Sequence, residues 1–370
     1  MYSDELIFEM ALCSIFRYRV EIPLKIVENL GSAKKLFELQ RGELEEIFGK
    51  GSRFPDEILS AKELDSARNE ADWCREKGIR IHMRGDSDFP AMLAGCPDSP
   101  LVFYSVGCCE LNSEKIIAVV GTRQPTDRGK EECRMLIKQL AESGSSPVVA
   151  SGLAYGIDIT AHISALESGL KTIAVLATPL DRIYPKAHTA YARRIARQGA
   201  LITEFPRGSI SHKLNFIQRN RLIAGLSKAT IVVESRKKGG ALTTAELAES
   251  YSREVYALPG RVSDIRSEGC NNLIAKNEAT IFTNTEEMLA TLGWIKKGEE
   301  GQCEENSELF FRGDPLKEKI LVALRLNPGQ SMDQIHLYTS IAIKDLASSL
   351  LELEVEGWIT RTAGNRYIAK

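Results

Sequence analysis

Residues 216–260, Phe216 to Gly260, read FIQRNRLIAGLSKATIVVESRKKGGALTTAELAESYSREVYALPG and hold four local signals in a stretch the size of one βαβ unit. A basic cluster, Arg219-Asn220-Arg221, opens an amphipathic run, Leu222 to Leu226. The apolar run Ala229 to Val233 follows, with the length and β-branched content of a buried parallel strand. Past Glu234, Gly239-Gly240 starts a helical pattern, where free backbone N–H groups and the positive end of a helix dipole suit a phosphate. A second strand, Glu254 to Leu258, stops at Pro259-Gly260. Two phosphate-holding clusters beside the carboxyl ends of parallel strands are what an open α/β sheet offers a nucleotide or nucleic acid.

The same rhythm extends on both sides. Further strands are expected at Ile116 to Val120, Pro147 to Ala150, Thr172 to Leu176, Ala200 to Thr203 and Thr280 to Phe282. Helical patterns separate most of them, so residues 115–295 are expected to form a Rossmann-like, doubly wound, mostly parallel sheet of the α/β class. Residues 1–78 read as a small helical module of helix-hairpin-helix or SAM-like type, with Gly31 and Gly49 as helix stops. The turn Asn29-Leu30-Gly31-Ser32 has the form of a DNA-touching hairpin, but packing alone accounts for it. Residues 79–114, where short strand-like pieces alternate with Pro90, Pro97 and Pro100, are expected to be a connecting segment laid against the next domain, and the polar, acidic 296–314 to link. Three helical patterns and a hairpin in 315–370 predict a winged-helix-like domain. Its third helix sets Asp345, Glu352, Glu354 and Glu356 against Lys344, which favours a protein contact over a DNA backbone.

Composition narrows the function classes. With 43% hydrophobic and 26% charged residues among 370, the chain is ordinary globular protein. A net charge of −2 excludes a polycation coating DNA, so nucleic-acid binding must come from a local patch. No run is apolar enough for a membrane span and no signal peptide opens the chain, so a cytoplasmic protein without membrane contact is expected. Eight cysteines lack metal or disulfide spacing, and no metal or cofactor is expected.

The candidate chemistry sits at strand ends. Gly121-Thr122-Arg123 follows the first core strand: the glycine permits a tight turn and the arginine can hold a phosphate bidentately. The later Gly129-Lys130 is no P-loop, because its spacing is wrong and Glu131 replaces the hydroxyl. Ser151 and Gly152 open a small-residue loop, Ser151 to Asp158, that lets a backbone approach a ligand; His162 beyond it reads as a packed helix-face residue. Lys186, Lys213 and Phe216, chosen from chemistry and placement, add two cations and a ring. Cations alternating with a stacking ring are the physical recipe for single-stranded nucleic acid. Neither a nucleophile elbow nor a dinucleotide glycine fingerprint is present, so a binder is expected in place of an enzyme.

Taken in order, Gly121-Thr122-Arg123, SGLAYGID (Ser151 to Asp158), Ile183-Tyr184-Pro185, TEFP (Thr203 to Pro206), QRNRLIAGLS (Gln218 to Ser227), VVES (Val232 to Ser235) with GGALTTAE (Gly239 to Glu246), ALPG (Ala257 to Gly260) and SEGCNNLI (Ser267 to Ile274) resemble the DNA-processing protein A (DprA, or Smf) family of bacteria. The resemblance runs from about Asp88 to Phe282. It implies a single-stranded DNA-binding, usually dimeric protein that protects incoming strands in natural transformation and loads the RecA recombinase. It also implies DNA contact at Gly121, Thr122, Arg123, Ser151, Gly152, Arg219, Asn220, Arg221, Gly239 and Gly240. Ala177 to Leu180, Ile217 and Ala241 depart from the family pattern. The alternative is a nucleotide phosphoribohydrolase of the lysine-decarboxylase-like type: Gly239-Gly240 with Thr243 and Glu246 approach its motif, but Leu242 stands where that motif has a third glycine.

Overall fold

The computed structural model describes residues 2–295, 315–327, 329–362 and 366–369. The linker expected at 296–314 lies outside them. The chain divides into two compact units, 1–297 and 298–370.

In the first unit, six helices come first: α1 (Asp4–Phe16), α2 (Glu21–Leu30), α3 (Ala33–Glu38), α4 (Arg41–Phe48), α5 (Phe54–Leu59) and α6 (Lys62–Lys77). Local chemistry sets their ends. Ser3 caps α1 by accepting from the Leu6 N–H, Gln40 and Glu43 form a capping box on α4, and Gly31 ends α2 at φ +75°. Strands β1 (Arg80–Met83) and β2 (Val102–Gly107) follow, with the short α7 (Ala91–Ala94) between them. The rest alternates: β3 (Ile116–Val120), α8 (Asp127–Glu142), β4 (Val148–Ser151), α9 (Ile157–Glu167), β5 (Thr172–Val175), α10 (Thr189–Gln198), β6 (Ala200–Thr203), α11 (Lys213–Leu226), β7 (Ala229–Val232), α12 (Gly240–Ser250), β8 (Glu254–Ala257), α13 (Glu268–Ala275), β9 (Thr280–Ile281) and α14 (Thr285–Thr291).

These strands make one sheet in the order β1-β2-β6-β5-β4-β3-β7-β8-β9, parallel from β6 to β9. The chain leaves β3 toward β4, β5 and β6, then returns to β7 on the other side, so the loops after β3 and β7 flank a topological switch point. Every residue of β3 is buried, and period-two alternation divides them. Ile116, Ala118 and Val120 pack with α11, α12 and α13, while Ile117 and Val119 pack with α8, α9 and α14. Helices thus cover both faces.

Residues 79–114, expected to be a connection, extend the sheet. β2 pairs antiparallel with β6, Tyr104 opposite Thr203, and with β1, Tyr104 opposite Ile81. Phe103 is fully buried against one face, while Leu101, Val102 and Tyr104 join the core of the helical module. The three prolines interrupt only the chain between the two strands. One hydrophobic core therefore runs from the module into the sheet.

The second unit holds α15 (Pro315–Leu326), β10 (Gln330–Ser331), α16 (Met332–Thr339), α17 (Ile343–Val355), β11 (Ile359–Thr362) and β12 (Arg366–Ala369). Its antiparallel sheet, ordered β10-β12-β11, and its three helices follow the element order of a winged helix. Two of the acids on and after α17, Glu352 and Glu356, bind Lys317 at 2.7 and 2.8 Å.

Glu9 on α1 gives the first unit a pH dependence. It is 4% exposed, one carboxylate oxygen lacks a partner, and burial together with Glu5 and Asp86 raises its pKa to about 8. A carboxyl raised in the folded state contributes stability that is fully present below its unfolded pKa and lost as pH rises through about 8. Glu9→Gln is expected to melt higher than the unsubstituted protein at pH 9 and to flatten the melting curve against pH. Identical pH profiles would show Glu9 to be ionised and solvated.

Candidate nucleic-acid interface

The loop after β3 is held from two sides. The Thr122 N–H donates to the Glu234 carbonyl at 2.7 Å, and the Ile157 N–H to the Thr122 carbonyl at 3.2 Å. The turn needs Gly121 and Gly156: a Cβ on Gly121 would meet Ile157 at 2.5 Å, and one on Gly156 the Thr122 carbonyl at 2.2 Å. The carboxylate of Glu234 reaches back as well, accepting from the Thr126 N–H at 2.9 Å and from its hydroxyl, which caps α8. Glu234, which from sequence merely ends a strand, is therefore a latch across the switch point.

This scaffold presents Arg123 to solvent. Its guanidinium lies over the Phe216 ring, 5.2 Å from the centroid, and Tyr184 meets the same ring edge-on at 5.6 Å. These three, with Gly152, Ala154, Tyr155, Ala177, Pro185 and Arg219, line a shallow pocket of about 20 Å³. Tyr155 and Tyr184 are half exposed at its rim. Lys186, in the short 3-10 turn after Pro185, and Lys213, the first residue of α11, are exposed and form no ion pair among the described residues. Arg123 thus stands over an aromatic face, able to meet phosphate and base together, while Lys186 and Lys213 lie outside the pocket lining. Tyr155 escaped selection from sequence because nothing in SGLAYGID says which side chain reaches the rim.

The buried arginines divide sharply. Arg219 is 4% exposed, and its guanidinium donates to the Gly152 and Val175 carbonyls, the latter at 2.6 Å, and to the Asn220 side chain at 3.2 Å. Burial pushes its pKa down to about 10 and Asp158 opposes that shift, so it remains a cation at neutral pH. It forms the pocket floor, and Gly152 has no room for a Cβ because the guanidinium fills that space. Asn220 reaches the Gly240 carbonyl at 3.5 Å, which places the start of α12 beside this floor. Gly239 is half-buried and Gly240 exposed there.

Of the expected contact residues, Arg123, Gly152, Phe216 and Arg219 line the pocket, and two others are spent in the interior. Arg221 is 4% exposed and donates to the Asp98 carbonyl and the Glu204 carboxylate, on the side of α11 toward α7 and β6. An α-helix turns about 200° over two residues, so Arg219 and Arg221 cannot share a face. Ser151 is fully buried and its hydroxyl donates to the Val119 carbonyl at 2.6 Å, within the sheet. His162 is likewise fully buried and bonded to Thr172 at 2.7 Å, and burial drives its pKa down to about 3. A larger cavity of about 280 Å³ lies between α1 and the loop after β6, and none of Arg123, Lys186 and Lys213 lines it. Among the described residues, no three His, Cys, Asp or Glu side chains are placed to hold a metal, and no helix is long and apolar enough to cross a membrane.

The chain is similar to proteins already known. The family model described as DNA recombination-mediator protein A matches residues 80–293. The Smf protein of Synechocystis is 33% identical over 92% of this chain and 92% of its own. The crystal structure of DNA processing protein A from Streptococcus pneumoniae aligns with a TM-score of 0.62 at 30% identity, covering 76% of this chain and 92% of that one. A structure from Helicobacter pylori, described as showing the single-stranded DNA binding mode of its DNA processing protein A, aligns at 0.52 with 31% identity, covering 58% and 95%.

Arg221 and Arg123, both expected to touch DNA, separate in a stability measurement. Arg221→Ala leaves Glu204 buried without its partner and is expected to cost about 3–5 kcal/mol in denaturant unfolding. Arg123→Ala removes an exposed side chain and is expected to stay within about 0.5 kcal/mol of the unsubstituted protein. A stable Arg221→Ala would show that Glu204 finds another partner.

Proposed function

The chain belongs to the DNA recombination-mediator protein A family, and from that premise we propose that it binds single-stranded DNA at the carboxyl edge of its sheet. The observation that carries this reading is the arrangement of Arg123 over Phe216 with Tyr184 against the same ring. Arg123, Lys186 and Lys213 supply phosphate contacts, while the Phe216, Tyr155 and Tyr184 rings offer faces or edges to unpaired bases. Gly121, Thr122, Gly152, Arg219, Asn220, Gly239 and Gly240 shape the pocket; Ser151 and Arg221 support it from the interior. Preference for a single strand follows, because bases stacked inside a duplex cannot reach these rings. Sequence preference is weak, since bases meet ring faces there and base edges go unread.

The bound strand is then protected and passed to the RecA recombinase during DNA uptake, by a cytoplasmic homodimer in which two such pockets join. The Helicobacter pylori relative, described as binding single-stranded DNA, supports the first step. The acidic α17 of the second unit suits a protein partner better than a nucleic acid.

Fluorescence anisotropy with a labelled single strand and its duplex, across a salt series, tests the reading. The unsubstituted protein is expected to favour the single strand. Arg123→Ala/Lys213→Ala is expected to bind more weakly, with a salt slope shallower by about 1.4, two contacts at about 0.7 each. Phe216→Ala is expected to lose about 1–3 kcal/mol with the salt slope retained. Equal binding of both DNA forms by all variants would remove the pocket from the mechanism, and release of free base from a nucleoside monophosphate would favour the phosphoribohydrolase.

A further inference from the structure

The motifs ALPG and SEGCNNLI remain without a role in that pocket, and the structure joins them. Asn271 on α13 brackets Gly260, donating to its carbonyl and accepting from its N–H, both at 3.1 Å. Gly260 also abuts Ser267, where a Cβ would meet the hydroxyl at 2.0 Å. The loop between them is therefore clamped at both ends. Inside it, the Asp264 N–H donates to the Arg261 carbonyl at 2.9 Å, the Ser267 N–H to the Asp264 carbonyl at 3.0 Å, and the Arg266 N–H to the Asp264 carboxylate at 2.9 Å. The neighbouring loop after β7 is tied to the same helix, the Gly269 N–H donating to the Ser235 carbonyl at 2.8 Å.

Between these two loops, Arg236, Arg261 and Arg266 line an open concavity of about 520 Å³, with Ser263, Asp264 and Ile265. None of the three arginines forms an ion pair among the described residues, and Nε of Arg266 is buried without a hydrogen-bond partner. The acids nearby are already engaged: Asp264 caps its own turn, and Glu268 faces Lys237 at 3.7 Å. Arg128 and Glu132, in the adjoining cleft that Arg261 and Asp264 share, pair with each other at 2.7 Å. Three guanidinium groups against one carboxylate leave an anion-seeking site.

We propose that Arg236, Arg261 and Arg266 form a second phosphodiester subsite, for the same single strand that enters the Arg123–Phe216 pocket. This rests on the single-strand reading above. The first pocket lies at the carboxyl ends of β4 and β5 and the cluster at those of β7 and β8, on one edge of the parallel sheet. Three strand spacings of about 4.8 Å separate β4 from β8, so a strand leaving the first pocket crosses the switch point and reaches the arginines only when it is several nucleotides long. Asn220, touching both Arg219 and Gly240, stands on the route.

The proposal is tested by length dependence in the full chain, with oligothymidylates of about 4 and about 16 nucleotides, the usual limits of a single-strand site. The unsubstituted protein is expected to gain affinity from the short to the long strand, and Arg261→Ala/Arg266→Ala to lose about tenfold of that gain, with the long-strand salt slope falling by about 1.4. Arg123→Ala is expected to weaken both lengths alike and keep their ratio. If the double variant, melting at the unsubstituted temperature, shows the same gain and slope as the unsubstituted protein, the arginines are not a DNA subsite. Conversion of each arginine to lysine, which keeps the charge, is expected to restore most of the slope; failure to do so would mean the loop acts otherwise. If the unsubstituted protein binds neither length, the single-strand reading itself falls.

Discussion

A single buried guanidinium organises the candidate site. Arg219 reaches from α11 to the backbone carbonyls at the ends of β4 and β5, while Asp158 at the start of α9 balances its charge. A cation taken out of water is tolerable only when its donors are used and a counter-charge is near. Those demands fix where α11 sits relative to two strands and one helix. Everything that faces solvent at the pocket hangs on that position: Phe216, one turn earlier on α11, is brought beneath Arg123 and beside Tyr184 because Arg219 anchors the helix below them. Glycine at 152 is the complement, since the guanidinium occupies the space of its Cβ.

The pocket is thus built in two layers. The lower one is hydrogen-bonded throughout: Arg219, Asp158, Glu234 and Ser151 are buried, Glu234 accepting from the half-buried Thr126 and Ser151 donating to the Val119 carbonyl. The upper one, Arg123, Lys186 and Lys213, has no acidic partners among the described residues and is open to salt and solvent. Binding chemistry of this kind profits from the separation. Exposed cations release counterions when a phosphate arrives, while the buried layer holds the helix and loops that carry the rings.

The same division explains the wider molecule. With the helical module sharing a core with β2, and β2 paired to β6, residues 79–114 are part of the sheet. The edge that carries the strand ends is braced at one side by that module and at the other by α13, whose Asn271 secures the loop after β8. Loops that carry exposed arginines would repel one another if left slack, and both are held by hydrogen bonds to buried or half-buried partners.

From the chain alone, the parallel sheet, its strand positions and the existence of a cation-rich edge are readable, because β-branched runs, glycine turns and 3.6-residue periodicity are local properties. Strand boundaries shift by at most about two residues, since fraying ends depend on cap geometry. Family motifs carry the order of the loops as well. What local pattern does not contain is direction. Arg219 and Arg221 are equivalent letters in RNR, yet one floors the pocket and the other binds Glu204 across the core, because only the packed helix decides which face meets the sheet edge. Ser151 reads as a donor and is spent inside the sheet; Tyr155 and Tyr184 read as parts of loops and stand at the rim. The strand-like pieces of 79–114 are legible, but their place in the main sheet is not, for the same reason. Residue types can be read from one segment, whereas the partner β6 lies about a hundred residues away, and only tertiary structure brings the two together.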